Sequence, residues 1–257
     1  MNKSSIEAQY KAILEKVWDV DLKGIEDKFS GVFLPYAFDE YNNASLKVML
    51  VGRETAHWNT KNKLNKLNRI VEKIDTNKLD EIIKDAYERY SWHLKAGSGG
   101  ELKTKHRSHF KRYYQKLYKE LNIPPSGMIY ANLLAWDYNG KSPLNLPKEV
   151  REQIEQLSRE LLAIQIKAFN PDVVIFATGV YKVDPIIRTL MTDYFNGYKT
   201  KHLVSRKLWQ FKGNDSSKTR FFRIAHPRAQ GGHAQYREEV IQRIKRGTKW
   251  CERFELE

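Results

Sequence analysis

The sequence predicts an α/β fold, a central, mostly parallel sheet of four or five strands flanked by helices, and three observations carry that expectation. The first is a set of short, continuous apolar runs, KVMLVG at 47–52, MIYAN at 128–132 and DVVIFA at 172–177, each bounded by turn residues. Strands read this way when helices cover both faces of the sheet, so that every side chain is buried. The second is the amphipathic pattern between the runs: Val150, Ile154, Leu157, Leu161, Ile164 and Ala168 recur three and four residues apart, and Asn170-Pro171 ends them. The third is the polar or glycine-containing ending of the apolar segments. Gly52-Arg53-Glu54, Asn132, Thr178-Gly179 and His226 stand at these ends, and in a parallel sheet such positions meet at one edge, where ligands bind.

In chain order, Ile6, Tyr10, Ile13, Leu14, Val17 and Trp18 predict an opening helix packed on the body. After the first strand, residues 59–121 are helical and polar, with Leu64, Leu67, Val71 and Ile74 on one stripe and Leu79, Ile82, Ile83, Ala86 and Tyr90 on another. This reads as a basic helical insertion over about 59–125 within a single domain spanning 1–257. Gly97-Ser98-Gly99-Gly100 inside it is a loop, without the preceding strand that a dinucleotide fingerprint requires. Asp184-Pro185 suits the N-cap and first position of a helix. Residues 204–211 and 221–225 are further strands, separated by the turn at Gly213-Asn214-Asp215-Ser216-Ser217, and Tyr236, Val240, Ile241 and Ile244 form the last helix.

A chain of 257 residues with 41% apolar content can build a proper core without staples. Cys251 is the single cysteine, so a disulfide framework, a paired-cysteine zinc site and an iron-sulfur cluster are excluded. His106 and His109 lie three apart, but in a basic stretch that disfavours a cation, and neither a metal nor another cofactor is expected. There is no apolar leader and no run of membrane-spanning length, which points to a soluble, cytoplasmic protein with no membrane partner. A monomer is expected.

Net charge is +14, a surplus that suits a polyanionic partner. It is concentrated in two runs. Residues 101–120 hold Lys103, Lys105, Arg107, Lys111, Arg112, Lys116 and Lys119 against two glutamates, and residues 199–223 hold eight basic residues against Asp215. Tyr113, Tyr114, Tyr118, Trp209 and Phe211 interleave with these charges, a pattern that suits bases stacking beside neutralised phosphates. Nucleic acid is therefore the expected partner, with Arg107, Lys111 and Arg112 among its contacts.

The strand-end residues suggest a chemistry. Hydrolysis of an N-glycosidic bond passes through an oxocarbenium-like sugar, which a carboxylate can stabilise while it orients water; Glu54 is the candidate. Negative charge builds on O2 of the departing base, and His226 would donate to it. An amide can read the pairing edge of a flipped pyrimidine, a role for Asn132. Each residue also has a plainer reading: Glu54 paired with a surface cation, Asn132 bound to turn backbone, His226 a structural strand end. Trp58, Trp136 and Asp137 could be core or rim.

At these residues the chain resembles the uracil-DNA glycosylase superfamily. Its members carry Gly-Gln-Asp-Pro-Tyr-His or Gly-Glu-x-Pro-Gly after strand one, an Asn ending strand two, a Pro-x-strand-Gly element and a His-Pro-Ser motif after the last strand. Here Gly52-Arg53-Glu54-Thr55-Ala56-His57, Asn132, Pro171 to Gly179 and His226-Pro227-Arg228 stand in that order. The resemblance implies a monofunctional DNA glycosylase that leaves an abasic site, with Glu54 and His226 catalytic and Gly52, Arg53, Ala56, His57 and Asn132 around the base. Three departures matter: Glu54 replaces an aspartate, Thr55 the motif proline, and Ala56 the tyrosine that shuts out C5 substituents. The open C5 side is similar to phage-defence glycosylases that attack hypermodified cytosine. The loop after His226 lies where relatives wedge the duplex, which places Arg228, Gln230, Gly231 and Gly232 against DNA. Tyr87, Tyr90, Trp92 and His93 of the insertion would touch DNA or a bulky base. The rival readings are a metal-dependent nuclease, a non-catalytic DNA-binding module and, last because GxxxxGK[ST] is missing, a nucleotide-binding transferase.

Overall fold

The computed structural model describes residues 3–58, 66–94 and 108–247. Its centre is the strand β1 (Val48–Gly52), buried at every residue. Parallel neighbours flank it, β2 (Met128–Asn132) on one side and β3 (Val173–Phe176) on the other. Beyond β3 the antiparallel hairpin β4 (Tyr198–Val204) and β5 (Leu208–Gly213) joins through β6 (Arg220–Ile224), which is itself parallel to β3. The order is β2-β1-β3-β6-β5-β4, so the sheet has six strands, one more than the upper expectation.

The extra strand comes from the segment 204–211, expected as one strand. Ser205 to Lys207 form a turn inside it, with Arg206 at φ +57°, and split it into the end of β4 and most of β5. β4 has no apolar run because it is an edge: its alternation is interrupted by exposed Lys199 and Lys201, charges that discourage further strands from pairing there.

Helices cover both faces, and the period-two alternation of the strands assigns each side chain. Val48, Leu50, Val173, Ile175, Phe222 and Ile224 meet Tyr90 and Leu94 of α4 (Leu79–Leu94), Tyr113 and Leu117 of α5 (His109–Glu120), and Val240, Ile241 and Ile244 of α8 (His233–Lys245). Met49, Val51, Val174, Phe176, Phe211 and Phe221 face the other way, onto Leu162 and Ile166 of α6 (Lys148–Phe169) and Leu190 and Met191 of α7 (Asp184–Tyr194). Each such side chain contributes about 1.5–3 kcal/mol relative to exposure. A third cluster joins α1 (Lys3–Glu15), α3 (Leu67–Asp75) and the outer sides of α4 and α6, while the one-turn helix α2 (Asp39–Asn42) precedes β1 in the chain. The segment expected as an insertion therefore supplies, in α4 and α5, one cover of the sheet.

Several local expectations change. Trp18 is half exposed, because α1 ends at Glu15 and tightens into a 3-10 turn that rotates it out of the stripe. Asp184 is not a cap: Val183 precedes α7, and the Asp184 carboxylate instead receives Arg223 at 2.8 Å from Nε and 2.9 Å from Nη2. Arg223 is 2% exposed, so it belongs to this pair and not to a phosphate surface. Tyr113, Tyr114, Tyr118, Trp209 and Phe211 are all buried. They interleave with charge because one face of each amphipathic element is core, and they offer no stacking platform. No described helix is long and apolar enough to cross a membrane.

Candidate active site

The chain runs from β1 out to β2 and then back past β1 to β3, which makes the carboxyl ends of β1 and β3 a topological switch point. A cavity of about 520 Å³ opens beside this edge. Its wall combines the loop after β1 (residues 52–58), Arg89 and His93 of α4, the first turn of α5, Tyr130, Gly140, His226 and Arg228.

The loop after β1 is held from below. Leu133 and Leu134 donate their N–H groups to the carbonyls of Gly52 and Arg53 at 2.8 and 2.9 Å, tying the exits of β1 and β2 together. Asp137, 1% exposed, then collects three donors: Thr55 Oγ1 at 2.7 Å and Trp58 N–H at 3.1 Å on Oδ2, and Gly140 N–H at 2.9 Å on Oδ1. Thr55, where the resembled motif has proline, fixes the loop by this side-chain bond instead of by a ring. Removing the acceptor strands buried donors at about 1–3 kcal/mol each. Asp137→Ala is thus expected to destabilise the protein by about 3–5 kcal/mol, read as a lowered urea midpoint at unchanged slope. A shift under about 1 kcal/mol would show that the loop is held elsewhere.

Glu54 is pinned at the wall. Both its carboxylate oxygens accept from Arg53 Nε, at 2.9 and 2.7 Å, and its side chain is 10% exposed. The pairing foreseen as the plain alternative is present, but it holds the carboxylate in the cavity lining.

Asn132 lies one step behind that wall. A Cβ on Gly52 would stand 2.6 Å from Asn132 Oδ1 and 3.1 Å from Phe110 Cε2, so only glycine leaves room for the amide and the ring. Asn132 is 4% exposed, and neither amide atom has a hydrogen-bond partner among the described residues. The Tyr130 hydroxyl is near enough for Asn132 to draw its titration down, against the larger upward push of burial to about 12, yet no bond of acceptable geometry closes. Turn backbone does not satisfy this amide. The amide is thus buried without a hydrogen-bond partner among the described residues, next to the cavity but outside its lining.

His226 follows β6, and buried Pro227 ends the strand. Its Nδ1 accepts the Arg228 N–H at 3.1 Å, which leaves the proton on Nε2. Burial, then Arg53, Arg228, His109 and Arg237, pull its pKa down to about 4. Near neutral pH the ring is an uncharged Nε2–H donor.

No protein-family model and no curated protein matches the chain. The site is accordingly read from its own geometry.

Of the other expected residues, Gly52, Arg53, Ala56, His57, Lys111 and Arg228 line the cavity. The His57 ring sits where a Gly140 Cβ would be, 2.1 Å from Nε2, and Gly140 has φ +70°, so glycine is required there twice over. Arg112, Gln230, Gly231 and Gly232 stand outside the wall, and Gly232, at φ +81°, precedes α8. Arg107 lies outside the described residues. Within α4, Tyr90 is core, its hydroxyl accepting the Tyr130 N–H at 3.0 Å, and Tyr87 packs against Tyr10 and Tyr36, whereas Trp92 is exposed and His93 reaches the cavity. Arg89, Phe110 and Tyr130 were not singled out from sequence, and His109 was weighed there only as a metal ligand. Tyr130 was the accessible one, two residues before Asn132 on the same strand face. Among the described residues, no group of three or more His, Cys, Asp or Glu could hold a metal ion.

Proposed function

We propose that the protein is a monofunctional DNA glycosylase that flips a pyrimidine into this cavity and hydrolyses its bond to deoxyribose. The observation that carries the reading is the joint placement of a neutral imidazole donor and a fixed carboxylate on one cavity, with an unsatisfied amide immediately behind. Water attacks C1′ as the glycosidic pair leaves with the base. Glu54 stabilises the sugar cation, orients that water and takes its proton as the C1′–O bond forms, the proton passing finally to the departed base anion; His226 Nε2–H donates a hydrogen bond to O2 as it gains charge, and Asn132 reads the base edge. Phe110 and Tyr130, with ring centroids 4.9 Å apart, offer apolar surface beside the base.

The cavity is roomier than an unmodified pyrimidine requires, and Ala56 gives it only a methyl group. This supports a base enlarged at C5, including hypermodified cytosine of the kind carried by phage DNA, and a defence role. Arg53, Arg89, Lys111 and Arg228 supply positive charge for the strand.

The test incubates the protein with single- and double-stranded oligonucleotides bearing uracil, mismatched thymine or hypermodified cytosines. Expected are free base by mass spectrometry and strand breaks only after alkali, both unaffected by chelator. Direct breaks abolished by chelator would indicate a metal-dependent nuclease, and tight binding without release a DNA-binding module. A borohydride-trapped adduct would make Lys111 a Schiff-base nucleophile and overturn the monofunctional reading, since Lys111 is half-buried in the cavity and its pKa is lowered.

A further inference from the structure

Two partly buried cations of the cavity wall have no carboxylate partner among the described residues. Arg69, Arg151, Arg223 and Arg243 each pair with Asp85, Glu155, Asp184 or Glu239. Arg89 and Lys111, also partly buried, pair with no carboxylate among the described residues. Arg89 instead lies over two indole rings, its Cζ 5.3 Å from the Trp58 centroid and 4.5 Å from that of Trp92, and its buried Nε has no hydrogen-bond partner among the described residues. Lys111 Nζ stands 3.5 Å from His93 Nδ1. The two cations repel: Arg89 adds to burial in lowering the Lys111 pKa, and both oppose charge on His93, whose pKa burial and these neighbours hold at about 3. His93 is therefore a neutral acceptor for Lys111 and no relief for its charge.

The same wall contains the N-terminus of α5. Ser108 caps it, accepting the Lys111 N–H at 3.3 Å, while the N–H groups of His109 and Phe110 precede any intrahelical bond. A twelve-residue helix presents partial positive charge there. A guanidinium over two indole rings, a lysine and a helix N-terminus share one wall of the cavity, where the one carboxylate among the described lining residues, Glu54, is taken up by Arg53; the uncompensated charge has a cost to folding that a bound anion would remove.

We propose that Arg89, Lys111 and the first turn of α5 form an oxyanion-binding subsite of the cavity, which takes a phosphoryl or carboxylate group carried by the extruded nucleotide. The carrier rests on the glycosylase reading; the subsite itself does not. An acidic substituent at C5 of the base and a phosphate of the strand present the same chemistry.

Calorimetric titration of the full chain with inorganic phosphate at low salt tests the subsite. Saturable binding is expected, weakened about tenfold or more by Lys111→Met and by Arg89→Gln, and unchanged by Lys201→Gln on the exposed face of β4. Lys111→Met should also raise the melting temperature, because it removes the repulsion with Arg89. No saturable binding, equal affinity in Lys111→Met, or a lowered melting temperature for that variant overturns the proposal. For the carrier, binding is compared between oligonucleotides with 5-carboxycytosine and 5-methylcytosine, and with a methylphosphonate 5′ to the target. A preference for the carboxylated base that Lys111→Met abolishes places the anion on the base; a methylphosphonate penalty that the variant abolishes places it on the strand. If neither effect is seen, the nucleotide is not the carrier. Phosphate binding without base release from any oligonucleotide sinks the glycosylase and leaves the subsite, and base release without phosphate binding does the reverse.

Discussion

Glu54→Gln is expected to lower base release by about 10²–10⁴-fold, the range for losing a positioned acid-base group, while DNA binding is kept or strengthened. Glutamine keeps the shape of the side chain and one acceptor for Arg53 Nε, which now reaches both carboxylate oxygens. It removes the negative charge that the sugar cation needs. Glu54 is the one carboxylate in the cavity lining among the described residues, so its loss makes the lining more positive and favours phosphate. Single-turnover release and duplex affinity, measured together, separate the explanations. Should release survive within about threefold, Glu54 is only the counter-ion of Arg53, as an ordinary surface pair would be.

The strands were legible wherever burial on two faces writes an apolar run: 47–52, 128–132, 172–177 and 221–225 correspond to β1, β2, β3 and β6 within a residue or two. β4 was not, because an edge strand with Lys199 and Lys201 exposed has no such signature, and its turn lies inside a run that reads as one strand. The same logic divides the site. Glu54, Asn132 and His226 are readable because β1, β2, β3 and β6 run parallel and end at one edge, and chain order alone identifies those ends. Arg89, His109 and Phe110 sit on helices, where sequence reports a stripe but not which neighbour the opposite side will face. Misreading the buried tyrosines of α5 as a stacking surface has the same cause: helical spacing mixes core and charge within every turn. Asp137 stood between core and rim in the sequence, and its role in holding the loop was hidden for another reason. Its three partners come from residues 55, 58 and 140, and that convergence is tertiary.

His226→Ala is expected to reduce base release by about 10²–10³-fold, the cost of one donor aimed at a developing oxyanion, with DNA affinity little changed. The donor is the neutral ring, because Nδ1 is occupied by the Arg228 N–H and the pKa is held at about 4. Release should consequently show no inflection from this residue near 6.5, the ordinary histidine value. The stability consequence has a definite sign. Above 6.5 the ring is neutral in both folded and unfolded chains; as pH falls from there towards 4 the unfolded chain takes up a proton that the folded one refuses, and stability is lost across that window. His93, held at about 3, loses stability over the same window and on below it, so His226→Ala should make the loss between 6.5 and 4 shallower, leaving the His93 share there, and should not change the loss between 4 and 3. Ring-proton titration by NMR reads the first quantity and urea unfolding at several pH values the second. A His226 signal that titrates near 6.5 would mean a ring open to water and protonated with ordinary ease, and the site would lose the neutral donor that its chemistry requires.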